Sequence, residues 1–296
     1  MVAVASEARG PTSRRRVVPF GPDDCLLGAI NDVSTGNSKT GAILWGLGVA
    51  EVKTARRLAK NGIASLQVRI NGVEFSDVER RNTVYSDRGV EYCRLAMDEL
   101  SRERDLREFI LMGNCACASF CLNAALADPR VVGLILTNPH ITKRQLLRVS
   151  LWHKLLKLST WKRLFRGGVN LRSNIDALGE LASRKLRRRR LDAVESSFAA
   201  RNAPSDLELP EDLDVQLGKL AERGVETLIA CASEDDSLHY LRARYGRALD
   251  ALEATGKVSF ERVETGTHVF STDDGAAALL NDAISRWIGL AAFVRT

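Results

Sequence analysis

The chain has 296 residues, 45% hydrophobic and 27% charged, with seven prolines and a formal charge of +6. This is the composition of a globular protein and excludes collagen-like or charge-dominated disordered classes. No apolar run approaches the ~18 residues of a spanning helix. Residues 1–18 lack a continuous apolar core ahead of their arginines, so they do not read as a secretory signal. A cytoplasmic location is expected, with the six cysteines held mostly as thiols.

Residues 1–18, which include Ser13-Arg14-Arg15-Arg16, read as a disordered arm. Short apolar runs at Leu26 to Asn31 and Ala42 to Trp45 follow, flanked by turn residues. Gly46-Leu47-Gly48 comes next, then a helical pattern from Glu51 to Asn61 with a Gly62 stop. Ala64 to Ile70 is strand-like. A charged loop leads to a helix over Gly89 to Arg102, with Val90, Cys93, Leu95, Met97 and Leu100 mostly on one side. The run from Phe109 to Met112 is a strand that meets Gly113, and a small-residue helix from Ala116 to Ala127 leads to the strand Val131 to Thr137. This alternation predicts an α/β fold with a mostly parallel central sheet and helices on both faces. Right-handed crossovers then place the loops that follow strands along one sheet edge, where such sheets bind ligands.

Between Asn138-Pro139 and Pro210 the alternation stops, over far more chain than the ~2–6 residues of an ordinary connection. Residues 139–210 are therefore expected to form an inserted helical cap on a core made of 19–138 and 211–296. Its first part, Arg144 to Phe165, carries Leu147, Leu151, Leu155 and Leu158 at helical spacing. The alternation resumes with a helix from Leu213 to Arg223, a strand from Glu226 to Cys231 and a helix from Tyr240 to Ala254. A strand from Lys257 to Val263 and a last helix through Trp287 complete it.

Charge is concentrated in the insertion. Ile141 to Leu191 holds fifteen Lys and Arg against Asp176 and Glu180, a local balance of +13 that leaves the remainder at −7. The densest run ends in Arg187, Arg188, Arg189 and Arg190. No nucleic-acid-binding motif or aromatic platform accompanies it, so nucleic acid is not an expected partner. The run is either a solvated helix face or a field that gathers an anionic substrate, carrier protein or lipid surface.

Gly113-Asn114-Cys115-Ala116-Cys117 lies between a strand and a helix, the context of a nucleophile elbow. The competing reading is three core cysteines, Cys115, Cys117 and Cys121, packing a buried helix. Two later strand ends favour chemistry. Ser233-Glu234-Asp235-Asp236 follows one strand, and Glu264-Thr265-Gly266-Thr267-His268 follows the next. Nucleophile, acid and histidine thus occur in the order Cys115, Asp236, His268, with Asp235 and Glu234 as alternative acids. A thiol must lose its proton to attack a carbonyl carbon, an imidazole takes it near neutral pH, and a carboxylate orients the imidazole. Oxyanion donors are expected at the backbone N–H of Ala116 and of Leu47. With no Cys-Xaa-Xaa-Cys pair and no histidine close in sequence to Cys115 and Cys117, no metal site is expected.

With these residues the chain resembles the α/β-hydrolase superfamily from Phe20 onward. Asp128-Pro-Arg-Val-Val-Gly-Leu-Ile-Leu-Thr-Asn-Pro139 and Trp161-Lys-Arg-Leu-Phe-Arg-Gly-Gly-Val-Asn-Leu-Arg172 are similar to the capped hydrolases associated with bacterial exosortase and exopolysaccharide gene clusters. That resemblance implies cysteine at the elbow and the triad Cys115, Asp236 and His268. Two residues depart from the pattern: Trp45 where a histidine commonly precedes the oxyanion glycine, and Cys117 where a glycine follows the nucleophile. The resulting expectation is an esterase, thioesterase or acyltransferase that forms an acyl-enzyme without a cofactor. Its substrate would be a small or carrier-bound acyl donor, anionic if the cap arginines meet it. The alternatives are a catalytically inactive binding or scaffold protein, and a peripheral membrane protein using the basic helix from Arg144 to Phe165.

Overall fold

The computed structural model describes residues 15–33, 38–46, 48–70, 78–141, 145, 210, 212–265, 270 and 274–291. Its strands are β1 (Arg15–Phe20), β2 (Leu26–Asn31), β3 (Thr40–Trp45), β4 (Ala64–Ile70), β5 (Glu108–Asn114), β6 (Val131–Thr137), β7 (Glu226–Ala232) and β8 (Val258–Val263). They form one sheet in the order β1-β2-β4-β3-β5-β6-β7-β8. β2 pairs antiparallel with both its neighbours, whereas every pairing from β4 to β8 is parallel. The helices are α1 (Val49–Lys60), α2 (Val78–Glu103), α3 (Ala116–Ala127), α4 (Leu213–Glu222), α5 (Asp236–Glu253) and α6 (Asp274–Leu290). The chain has the α/β-hydrolase fold.

The central strands are buried along most of their length because both faces are covered. β3 and β7 have no exposed residue, which is why they read as continuous apolar runs and not as alternating ones. Within each strand the period of two still sorts side chains into two layers. Ile43, Trp45, Phe109, Leu111, Leu134 and Leu136 join the layer that holds Met97 and Leu100 of α2, Phe120 of α3, Leu217 of α4 and Leu241 of α5. Ala42, Leu44, Ile110, Met112 and Ile135 join the other layer, with Leu58 of α1 and Leu280 and Trp287 of α6.

Three element boundaries differ from expectation by more than two residues. Arg15 to Val18, expected in the disordered arm, belong to β1. Val17 and Val18 pair with Ala29 and Gly28 of β2. An edge strand tolerates Pro19 and the exposed Arg16, and both blunt the edge against further pairing. α2 begins at Val78 and not at Gly89, and α5 begins at Asp236 and not at Tyr240. The expected cap at 139–210 lies outside the described residues except for 139–141, 145 and 210. Arg187, Arg188, Arg189 and Arg190 lie outside them too. Among the described residues, no helix is long and apolar enough to cross a membrane.

Two polar clamps hold the elbow helix from its far end. Arg223, just past α4, donates through Nη1 to the carbonyls of Ala125 (2.8 Å) and Leu126 (3.1 Å). Through Nη2 it donates to that of Asp128 at 3.1 Å. It thereby satisfies carbonyls that the end of α3 leaves without helical partners. Asp128 itself accepts from Arg130 at three points: the backbone N–H (3.0 Å), Nε (3.1 Å) and Nη2 (2.8 Å). Arg130 also reaches Asp98 of α2 at 2.6 Å. The hydrogen bonds from Arg130 hold the Asp128 carboxyl below its usual range, against the opposing effect of burial. A depressed carboxyl contributes stability above the unfolded value of ~3.9 that is lost as pH falls through the folded value. Asp128→Asn should therefore lower unfolding free energy by about 1–3 kcal/mol at pH 7. In urea titrations across the acid range, the difference between the parent and Asp128→Asn should shrink as the pH drops below ~4.

Candidate active site

Gly113 is what allows β5 to run straight into α3. A Cβ on Gly113 would lie 2.4 Å from the carbonyl oxygen of Cys117 and 2.8 Å from the nitrogen of Ala118. Only a hydrogen fits between strand end and first helical turn. The chain then reverses at Cys115, whose backbone sits at φ 53° and ψ −121° as the cap of α3. A non-glycine residue in such a conformation costs on the order of 1–3 kcal/mol and persists only where its surroundings impose it. Here they do. The Cys115 N–H donates to Thr137 at the end of β6 (3.0 Å), while its carbonyl accepts from Ala118 (3.1 Å) and from His140 (3.3 Å). Cys115 is half-buried at the sheet edge, and Ala116 begins the helix. The N–H groups of a first helical turn have no intrahelical acceptor, which suits Ala116 to an oxyanion.

The two departures from the usual pattern have structural outcomes. Cys117 is half-buried and packs against the core layer that holds α2 and α3. Trp45 is buried, its ring meeting that of Phe120 edge-on at 4.9 Å and 84°. Phe120 in turn lies over Gly89, where an added Cβ would come within 2.5 Å of it. The bulk standing at the histidine position is thus absorbed by the core, with α2 brought close to α3 by a glycine.

Beyond β6 the chain is held as tightly as the elbow. Asn138 is fully buried with φ 38°. Its N–H donates to Ala230 at 3.0 Å, and its side-chain oxygen accepts from the N–H of Ala232 at 2.8 Å. Pro139 then stiffens the step to His140, whose Nδ1 lies 3.8 Å from the Cys115 Sγ. The sequence reading missed His140. The available signal was its position three residues past a strand that neighbours the elbow strand in the sheet.

The acids expected at the end of β7 occupy distinct environments. Asp235 is buried and caps α5, accepting from the Ser237 N–H at 2.8 Å. Asp236 is the first residue of α5 and is exposed, as is Glu234. Ser233 ties this loop to the one after β8, donating from its hydroxyl to the carbonyl of Thr265 at 3.1 Å and from its N–H to that of Val263 at 2.9 Å. Thr265 stands three residues before His268. His268 and Leu47 themselves lie outside the described residues. Among the described residues, no cluster of three or more His, Cys, Asp or Glu is placed to hold a metal ion.

The cysteines divide by environment. All six are free thiols. Complete burial beside the Cys93 thiol pushes Cys121 well above the ordinary thiol range. Burial pushes Cys231 up to about 12 and raises Cys25.

No protein-family model matches the sequence, and no curated protein matches it by sequence. Solved structures do match the fold. An esterase of Pyrococcus furiosus, Pf2001, superposes with a TM-score of 0.55 at 11% identity, over 94% of this chain and 91% of that one. The esterase domain of a Rhodothermus marinus protein gives 0.53 at 14% identity, over 93% and 98%. The siderophore hydrolase EstB of Aspergillus fumigatus gives 0.51 at 15%, over 97% and 100%. At such identities the likeness is one of architecture.

Thiol environment makes a direct prediction. Iodoacetamide treatment of the native protein, mapped by mass spectrometry, should label Cys115 ahead of Cys117 and leave Cys121 and Cys231 unlabelled, because alkylation requires the thiolate. Equal labelling of Cys115, Cys117 and Cys121 would contradict the elbow assignment.

Proposed function

We propose that the chain is a cysteine-dependent acyl hydrolase or acyltransferase acting on an ester or thioester. The observation that carries this reading is the positive-φ backbone of Cys115 between Gly113 and α3, a strained presentation with no use in a packed core. The solved structures of similar fold include esterases and a siderophore hydrolase, which supports an acyl bond as the target. In the proposed cycle the Cys115 sulfur attacks the carbonyl carbon and the oxyanion forms against the N–H groups of Ala116 and Leu47. Collapse expels the alcohol or thiol and leaves an acyl-thioester on Cys115. Water or an acceptor nucleophile then releases the acyl group.

His268 serves as base and acid, oriented by a carboxylate. We assign that carboxylate to Asp236. Asp235 is already committed to the cap of α5, whereas Asp236 stands exposed beside it. A thiol nucleophile favours thioester exchange, so transfer to an acceptor is part of the proposal. Intact mass after incubation with a panel of activated acyl thioesters should show a single acyl adduct on the parent and none on Cys115→Ala. Turnover by Cys115→Ala should fall at least ~10³-fold, as when an enzyme nucleophile is deleted. Parent-like turnover by that variant would remove the basis of the proposal.

The basic insertion supports an anionic donor: a phosphorylated carrier group, an acidic carrier protein or an acidic glycan, in that order. The resemblance to hydrolases of exosortase and exopolysaccharide clusters is compatible with each. Replacing Arg187, Arg188, Arg189 and Arg190 by Gln should raise KM for an anionic thioester several-fold at low salt, with kcat little changed. A neutral thioester should be unaffected. The difference should fade toward 1 M salt, where the Debye length is ~3 Å against ~10 Å at 0.1 M. KM values unchanged from the parent for both donors at low salt would mean that the arginines only solvate a surface.

A further inference from the structure

The strand-end histidine that meets the nucleophile is not the one assigned as triad base. We propose that His140 holds the Cys115 proton in the resting protein, so that the site stands as a thiolate–imidazolium pair before any substrate arrives. The proposal rests on the reading of Cys115 as the nucleophile; it gives His140 the part of base and acid in acylation and leaves His268 the base for the second nucleophile.

Three observations carry it. Nδ1 of His140 lies 3.8 Å from Sγ of Cys115, a sulfur–nitrogen separation over which a thiol proton can be shared. The contact is built in at the backbone, because the His140 N–H donates to the Cys115 carbonyl at 3.3 Å. Asn138, fully buried and bonded to β7, fixes the approach of that segment. In addition, Cys115 caps α3, and the positive end of a helix favours a thiolate over a thiol.

Among the described residues, the titratable groups on the neighbouring element ends are Cys117, Asp235 and Asp236. Cys117 on α3 packs toward the α2–α3 layer. At the head of α5, Asp235 is bound to the helix it caps and Asp236 is exposed. His268 and the segment from 146 to 209 lie outside the described residues.

A thiol differs from a serine hydroxyl in that its proton can leave before attack. At rest the proton passes from Sγ to Nδ1. When the thiolate attacks, a carbon–sulfur bond forms and the carbonyl electron pair moves to oxygen. As the intermediate collapses, the acyl bond to the leaving group breaks and that group takes the proton from His140. In deacylation, water or the acceptor gives a proton to His268 while its oxygen bonds to the carbonyl carbon. The thiolate departs as the carbonyl re-forms, His268 releases its proton to solvent, and His140 takes one up from solvent. The two histidines thus divide the work, one for the thiol and one for the second nucleophile.

The decisive measurement is the pH dependence of Cys115 alkylation, which needs no substrate. In the parent and in His268→Asn, labelling of Cys115 should proceed well below the ~8.5 of a free thiol. In His140→Asn the labelling rate near pH 6 should fall ~10-fold or more while the rate above pH ~9.5 converges on that of the parent, because each unit of upward shift removes a factor of ten in thiolate. A merely structural histidine would change the rate equally at all pH values. With a thioester, His268→Asn should accumulate the acyl-enzyme by intact mass, whereas His140→Asn should acylate slowly. An alkylation profile that is unchanged in His140→Asn but shifted in His268→Asn overturns the pairing. Should His140→Asn fail to fold, thiolate ultraviolet absorbance decides. In the His268→Asn background, the signal abolished by Cys115→Ser must appear below the free-thiol range, and its absence there overturns the proposal. Turnover retained by Cys115→Ala would defeat the acyl-enzyme reading separately, without altering these titrations.

Discussion

The backbone reversal at Cys115 is the constraint on which the site depends, and it is a steric one. A positive φ on a residue with a side chain is unfavourable in isolation. It is imposed because β5 and the first turn of α3 come within a hydrogen's width of each other at Gly113. Both layers of the core serve that approach. Phe109 and Leu111 anchor β5 in one layer and Ile110 and Met112 in the other, so the strand cannot slide or tilt to relieve the turn. The strain is localised at one residue, and that residue carries the thiol.

The same economy governs the neighbouring strand. β6 ends at Thr137, whose carbonyl receives the Cys115 N–H, and the next three residues are held by Asn138 against β7. Elbow and strand end therefore form a single hydrogen-bonded unit across β5, β6 and β7. Asn138 adopts its positive φ for a reason unlike that of Cys115: an Asn side chain can itself bond to backbone, here to the N–H of Ala232, and so tolerates the left-handed region better than most. Any change that loosens Asn138 acts on Cys115 from behind.

Much of this was legible in the residues. β4, α3 and β6 appear at the expected bounds because each is rich in apolar or small residues and is closed by an unambiguous turn or cap. The elbow was legible because Gly113, Cys115 and the small-residue helix follow one another with no alternative register. The first part of α2 was not, since Val78-Glu-Arg-Arg-Asn-Thr reads as a charged loop when no apolar face is apparent. β1 was obscured for a related reason: arginines beside Val17 and Val18 suit an edge strand as well as a disordered arm, and only pairing with β2 separates the two. The head of α5 was hidden by acids that serve equally in a loop and as a helix cap. His140 had no motif around it; its place beside Cys115 follows from the pairing of β5 with β6, which no local pattern states.

Arg223 has a consequence for how the chain accommodates its long excursion. The chain leaves the sheet at the end of β6 and returns through α4, and the two ends are fastened twice. β7 pairs directly with β6, and Arg223 grips the carbonyls at the end of α3. The stretch between Ile141 and Pro210 is thus a loop closed on a fixed base. For such a loop the entropic cost of closure rises only with the logarithm of its length, by about 0.6 kcal/mol for each doubling. The core is consequently indifferent, in energy, to how long that stretch is. Length and composition there are open to change by insertion or deletion at almost no thermodynamic penalty to the sheet, so that stretch is free to diverge while the thiol's own setting stays fixed.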